Sequence, residues 1–186
     1  NKSNDRANTF EMSYPLKNRF CHVELGVPTG EDWIVNFAIP SMIDLRIINY
    51  IKARDSHLHA FNPNADEEHI AIPTPRTWEY LHKLITGLEG KENDEFVEIL
   101  AESTIGHSFG IEFSAFNRMV NQYDVAEIFR TKKVTIPKEP SELFALMTAL
   151  VSYFSKRRLI DAKHPNSLNS LNFTMLELAF KFSREH

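Results

Sequence analysis

Nearly the only alternating stretch of this chain lies close to its start. In FCHVEL, residues 20–25, Cys21, Val23 and Leu25 interleave with His22 and Glu24, the period of two that marks a strand. From residue 30 onward the apolar periods are helical. A lone strand leaves its backbone N–H and C=O groups without a ladder and needs a sheet to join. No partner strands are visible in the sequence. The expected fold is therefore mostly α, a compact helical assembly behind one residual strand whose sheet lies upstream in a longer protein. The opening NKSNDRANTFEMSYP is polar and turn-rich and lacks an initiator methionine, so it reads as a loop cut from that longer chain.

Before the strand, PLKNRF makes a short helical turn from Pro15. After it, GEDWIVNFAI gives a short acidic-led helix, and SMIDLRIINYIKAR sets Ile43, Ile47, Ile48 and Ile51 on one face. The polar loop DSHLHAFNPNADEEHIAIP leads to a helix opening at Thr74, with threonine as N-cap and Pro75 as first helical residue. DEFVEILAESTIG and SFGIEFSAFNRMVNQY are the next helices, the second stacking Phe109, Phe113, Phe116 and Val120; DVAEIF adds a turn. SELFALMTALVSYFSKRRLI presents Leu143, Met147, Leu150 and Phe154 at three and four spacing, with Ser141 as its expected cap. SLNSLNFTMLELAFKFSREH, after Pro165, is the last helix.

A length of 186 residues with 42% hydrophobic and 25% charged residues is enough for one substantial core or two small ones. A net charge of −4 argues against a general nucleic-acid or anionic-membrane surface, which needs a concentrated basic face. The one basic cluster, Lys156, Arg157 and Arg158, suits a solvated helix end at least as well. Cys21 is the only cysteine, which excludes an intrachain disulfide and a Cys-rich zinc site and fits a reducing compartment. No apolar run approaches the roughly 18 to 20 residues needed to cross a bilayer. The expectation is a cytoplasmic protein.

One residue breaks a local rule. Arg76 falls in the first turn of the helix at Thr74, where the macrodipole is positive and a cation is disfavoured by about 0.3 to 1 kcal/mol. A helix start also offers free N–H groups to an anion, and a guanidinium there adds a planar fork suited to phosphate oxygens. The alternative is a surface arginine paired with Glu79 or an acidic loop neighbour. Trp78 is read as core, placed to staple to Pro73. Arg19, ending the turn before the strand, stands at the edge of an expected sheet, though charged residues are common after turns. His57, His59, Glu67, Glu68 and His69 match no compact ligand spacing and read as a solvated loop, so no metal site is assigned. GLEGKEN lacks the glycine spacing and the Ser/Thr of a phosphate loop and reads as a helix end and turn.

Taken in order, PLKNRFCHVEL, Trp33, the isoleucine helix, a loop ending TPRTWEYL and then ILAESTIGHSFGIEFSAF resemble the C-terminal portion of MoxR-like AAA+ ATPases of bacterial or phage type, a group allied to dynein-related domains. The resemblance covers roughly residues 1–120. It implies that residues 1–27 end the α/β nucleotide-binding core, that 28–122 form a helical lid, and that 123–186 are further lid helices or a C-terminal extension. It further implies that Asn1 lies at or just after the sensor-1 strand and helps bind nucleotide, that Arg19 is a catalytic arginine finger reaching a neighbouring subunit's γ-phosphate, and that Arg76 is the nucleotide-contacting sensor 2. Implied cofactors are ATP and magnesium in the intact parent, with none bound to this piece, since neither GxxxxGK[ST] nor an acidic strand end for magnesium is present. Implied partners are copies of the same chain in a ring, a hexamer, and a protein client to be remodelled, with neither membrane nor nucleic acid among them. The alternative function is a stand-alone helical DNA-binding regulator or protein-interaction module, in which SKRRL would meet phosphates.

Overall fold

The computed structural model describes residues 12–61, 71–88, 93–131 and 133–161, with side chains through Ser155. Its elements are α1 (Tyr14–Lys17), α2 (Gly30–Trp33) running into a π-helical turn (Ile34–Ala38), α3 (Leu45–Ala53), a 3₁₀ turn (Asp55–His57), α4 (Pro75–Gly87), α5 (Asp94–Ile105), α6 (His107–Asn121), α7 (Val125–Thr131) and α8 (Pro140–Asp161). The fold is mostly α, as its periodicities require.

The strand expected at residues 20–25 does not form, and among the described residues there is no strand at all. The segment is instead irregular and exposed, with Val23 at 74% and Leu25 at 88% of full accessibility. The reason is the one that makes the pattern conspicuous: an alternating segment becomes a strand only where another edge completes its hydrogen bonds. The short helix before it begins at Tyr14, one residue ahead of the expected Pro15.

The α2 start is capped by Thr29, whose hydroxyl accepts from the Asp32 N–H at 3.1 Å. The helix expected over GEDWIVNFAI is an α turn widened into a π turn, which buries Trp33, Ile34 and Ala38 and leaves Val35 and Ile39 exposed. Asp44 then caps α3 by accepting from the Arg46 N–H at 2.8 Å. The predicted stripe is the buried one: Ile43, Ile47, Ile48 and Ile51 are at most 7% exposed, and Tyr50 joins them. Burying each such side chain contributes about 1.5 to 3 kcal/mol.

Helices α5 and α6 form a tight hairpin turned by Gly106 at φ 91°, a left-handed conformation natural to glycine. Close approach explains Gly110 as well, since a Cβ there would lie 2.5 Å from the Glu102 backbone nitrogen. Helix α8 packs on α3 and α6. It begins at Pro140, with the Glu139 carbonyl accepting from the Leu143 N–H at 3.0 Å, so Ser141 lies inside the helix rather than capping it. Its buried face is Ala145, Leu146, Ala149 and Leu150, while Met147 of the expected stripe is 44% exposed. Small alanines let α8 approach its neighbours closely, which turns the larger side chains partly outward. Asn49 on α3 donates to the Thr148 hydroxyl at 3.1 Å and pins the crossing.

A polar chain runs through this apolar body. The Arg46 guanidinium, nearly buried, donates twice to Asp44, at 3.0 and 2.7 Å, and once to the Asn117 carbonyl oxygen at 3.1 Å. The Asn117 amide in turn donates to Asp94 at 3.0 Å, and Asn121 donates to the same oxygen at 2.7 Å. Three helices are thus keyed together by groups that would each be costly to bury alone. Sequence reading passed over Arg46 and Asn117, although an arginine within an isoleucine stripe, two residues after an aspartate, is a legible sign of a buried ion pair.

Candidate functional site

The start of α4 is built on three supports. Thr74 and Thr77 cap each other: the Thr77 N–H donates to the Thr74 hydroxyl at 3.2 Å, and the Thr74 N–H donates to the Thr77 hydroxyl at 2.7 Å. Trp78 is fully buried against Tyr50 and Phe113, with ring centroids 5.5 and 5.7 Å away, and its indole N–H donates to the His57 carbonyl at 2.9 Å. The incoming chain is held by the Ala60 N–H, which donates to the Pro73 carbonyl at 3.2 Å, and by Gly106, where a Cβ would lie 2.5 Å from the Ala71 carbonyl oxygen.

Arg76 stands exposed on this support. Pro75 has no N–H, Thr77 spends its own on Thr74, and the Trp78 N–H donates to the Thr74 carbonyl at 3.1 Å. Among the described residues the Arg76 N–H is then the one first-turn donor left without an acceptor, so the helix start offers an anion one backbone group rather than several. The guanidinium has no hydrogen bond or ion pair among the described residues. Its alternative partner Glu79 is engaged by Lys83, one turn on. Other arginines differ: Arg46 binds Asp44, Arg118 binds Glu98 and Arg130 binds Glu127, and Arg54 lies 3.6 Å from Glu112 and 5.1 Å from the Tyr50 ring centre.

Arg19 is also exposed and, among the described residues, has no carboxylate partner; its N–H donates to the Leu16 carbonyl at 3.1 Å, closing the turn after α1. No hydrogen bond, ion pair or ring contact joins Arg19 to Arg76. Asn1 lies outside the described residues, as do Glu67, Glu68, His69, Gly90, Lys91 and the helix expected after Pro165. The side chains of Lys156, Arg157 and Arg158 lie outside them too.

His57 is not the solvated loop residue that its surroundings suggest. Its Nδ1 lies 3.0 Å from the Tyr50 hydroxyl and its ring meets Phe109 edge-on at 4.9 Å. Burial holds its pKa below the ordinary 6.5, against the attraction of Glu112, and burial likewise pushes the Tyr50 phenol up. His82 accepts at Nδ1 from the Asp44 N–H at 3.1 Å, and burial depresses it as well. Both histidines are structural in their contacts. The signal that could have marked His57 is its place seven residues after Tyr50, at the end of the α3 stripe.

Among the described residues no three His, Cys, Asp or Glu side chains converge as a metal site, and no helix is long and apolar enough to cross a membrane. What the α4 start offers chemically is a fixed cation with one N–H beside it. That can bind and polarise an anionic oxygen; it cannot by itself supply a nucleophile or a proton-transfer pair. No family model, curated protein or solved structure matches this chain.

Proposed function

We propose that this chain is the C-terminal part of a MoxR-like AAA+ ATPase of bacterial or phage type, a cytoplasmic ring that couples ATP hydrolysis to the remodelling of a protein client. In this reading residues 28–122 are the lid, Arg76 contacts nucleotide phosphate as sensor 2, and Arg19 is the finger offered to the next subunit. The observation that carries it is the selective lack of partners. Among the arginines whose side chains are described, Arg19 and Arg76 alone lack a neighbouring carboxylate, and these are the two that the family's pattern singles out. For Arg76 the unfavourable macrodipole is left uncompensated, at about 0.3 to 1 kcal/mol, on a helix start otherwise fully capped. A ligand phosphate would remove that cost.

A second support is the exposed apolar character of Phe20, Val23, Leu25 and Val27, which suits a strand awaiting its sheet. The residues present fit one half of Mg-ATP. Arg76 and Arg19 can hold phosphate oxygens, whereas magnesium and the phosphate loop belong to the core that precedes this chain in the parent. When bound there, Mg-ATP supplies the transferable phosphoryl group; Arg19 would neutralise charge developing on it.

The test uses the intact parent. Arg19→Ala should slow ATP turnover by about 10³-fold and Arg76→Ala by about 10²-fold. Mixing the Arg19 variant with one lacking the phosphate-loop lysine should restore part of the turnover if the finger acts between subunits. Unchanged turnover and assembly in both arginine variants would remove the assignment, and so would a parent reading frame with no GxxxxGK[ST] ahead of Asn1.

A further inference from the structure

A cleft of about 810 Å³ opens between the π turn, α3, the start of α5, the end of α6, α7 and α8. Pockets that take small organic ligands enclose about 300 to 1,000 Å³, with a chiefly apolar lining and a few converging polar groups. Ile43, Val97, Val120 and Val125 give this one buried apolar walls. Met42 also lines it, 83% exposed and at φ 52°, a left-handed conformation that methionine rarely adopts. The turn is closed by the Ile43 N–H, which donates to the Ala38 carbonyl at 2.9 Å. The fold thus fixes in water an apolar side chain that it barely covers.

The charges of the lining do not balance. Among the described residues four charged side chains line the cleft, and two of them, Asp44 and Arg46, neutralise each other in an ion pair at 2.7 Å. Asp94 and Asp124 remain. Through one oxygen Asp94 accepts from the neutral amides of Asn117 and Asn121, and through one of its own Asp124 accepts from the Glu127 N–H at 2.9 Å. Helix packing and capping account for those two oxygens. The second oxygen of each carboxylate has no hydrogen bond or ion pair among the described residues. Asn121 ties the two acids to one place, bonded to Asp94 and three residues before Asp124. Ser152 lines the same cleft, and its hydroxyl, withdrawn from solvent, has no hydrogen-bond partner among the described residues. Tyr123 and Tyr153 add aromatic surface to the lining, which also suits a cation.

We propose that this cleft binds a small organic cation, an amine or quaternary ammonium with an apolar body, its charged end between Asp94 and Asp124 and its body against Met42 and the valines. Neither Arg19 nor Arg76 lines the cleft, so the inference stands independently of the ATPase reading.

The test titrates the full 186-residue chain with 4-phenylbutylammonium, 4-phenylbutanol and 4-phenylbutyrate, which share one apolar body and differ in charge. Binding is read from the methyl NMR signals of the methionines. The Met42 signal should shift saturably while that of Met147, on the outward face of α8, stays in place. The ammonium should bind about 10-fold or more tightly than the alcohol, and the carboxylate more weakly than either. Asp94→Asn and Asp124→Asn should each weaken the ammonium by about 5-fold and leave the alcohol unchanged. Asparagine caps a helix as well as aspartate, so Asp124→Asn keeps its fold and decides alone should Asp94→Asn disturb the packing of α5 on α6. Glu31→Gln, exposed and outside the lining, should leave all three affinities unchanged.

Equal affinity for ammonium and alcohol would overturn the proposal, as would full affinity in Asp124→Asn or an equal loss in Glu31→Gln. So would the lack of any saturable Met42 shift up to about 10 mM ammonium.

Discussion

Residues 20–27 and helix α3 contain comparable apolar side chains and meet opposite fates. Phe20, Val23, Leu25 and Val27 are between 56% and 88% exposed, whereas Ile43, Ile47, Ile48 and Ile51 are at most 7% exposed. Hydrophobicity does not separate them. A helix satisfies its own backbone and can then bury its stripe against any apolar surface, while an alternating segment must find an edge before it can bury a face. The helical body therefore covers its own apolar stripe, whereas residues 20–27 leave theirs exposed.

The largest expected effect lies in the body. Arg46→Ala removes the guanidinium from Asp44 and from the Asn117 carbonyl oxygen, and stability should fall by about 3 to 5 kcal/mol, read by urea unfolding. A loss under 1 kcal/mol would show that water replaces the guanidinium and that the polar chain is not buried in solution. Next is Gly110→Ala, whose added methyl meets the Glu102 backbone; overpacking of about 1 to 3 kcal/mol is expected in the same assay.

Acid should act on the body through its histidines. His57 and His82 have folded pKa values depressed by burial, so the unfolded chain binds protons more readily than the folded one. Their contribution is fully present above pH 6.5 and is lost as pH falls towards the folded values. Stability measured from pH 7.5 downward should decline below about 6.5, and the decline should flatten in a His57→Gln, His82→Gln double variant. The smallest effect belongs to the other region: Leu25→Asp should change the stability of this chain by less than about 0.5 kcal/mol. If the chain is part of the longer ATPase proposed above, with residue 25 in its sheet, the same change there should be severe, and a null result in both would remove the contrast.

What the sequence made legible follows the same division. The α3 stripe, the Thr74 cap with Pro75, and Trp78 as a core residue were readable because helix periodicity and capping are local. The α8 face was misjudged because large residues outweigh alanines in a pattern, although Ala145 and Ala149 are what close packing selects. His57 and the Arg46–Asn117 contact escaped because the contacts that define them lie up to 71 residues apart in the chain. Of the candidate site, the position of Arg76 in a first turn was readable; that its helix start is almost saturated by Thr74, Pro75 and Thr77 was not, since the reciprocal threonine bonds appear only in three dimensions.

The clamped start of α4 sets where disorder remains. Backbone freedom at positions 74–78 is already spent on the threonine bonds and on Trp78, so an anion approaching Arg76 has only one side chain's rotamers left to freeze, at most about 2 kcal/mol. An arginine on a loose loop would lose a further 1 to 2 kcal/mol for each residue that had to be ordered with it. The rigidity of this helix end thus lowers the entropy lost on capture, and it does so before any ligand arrives.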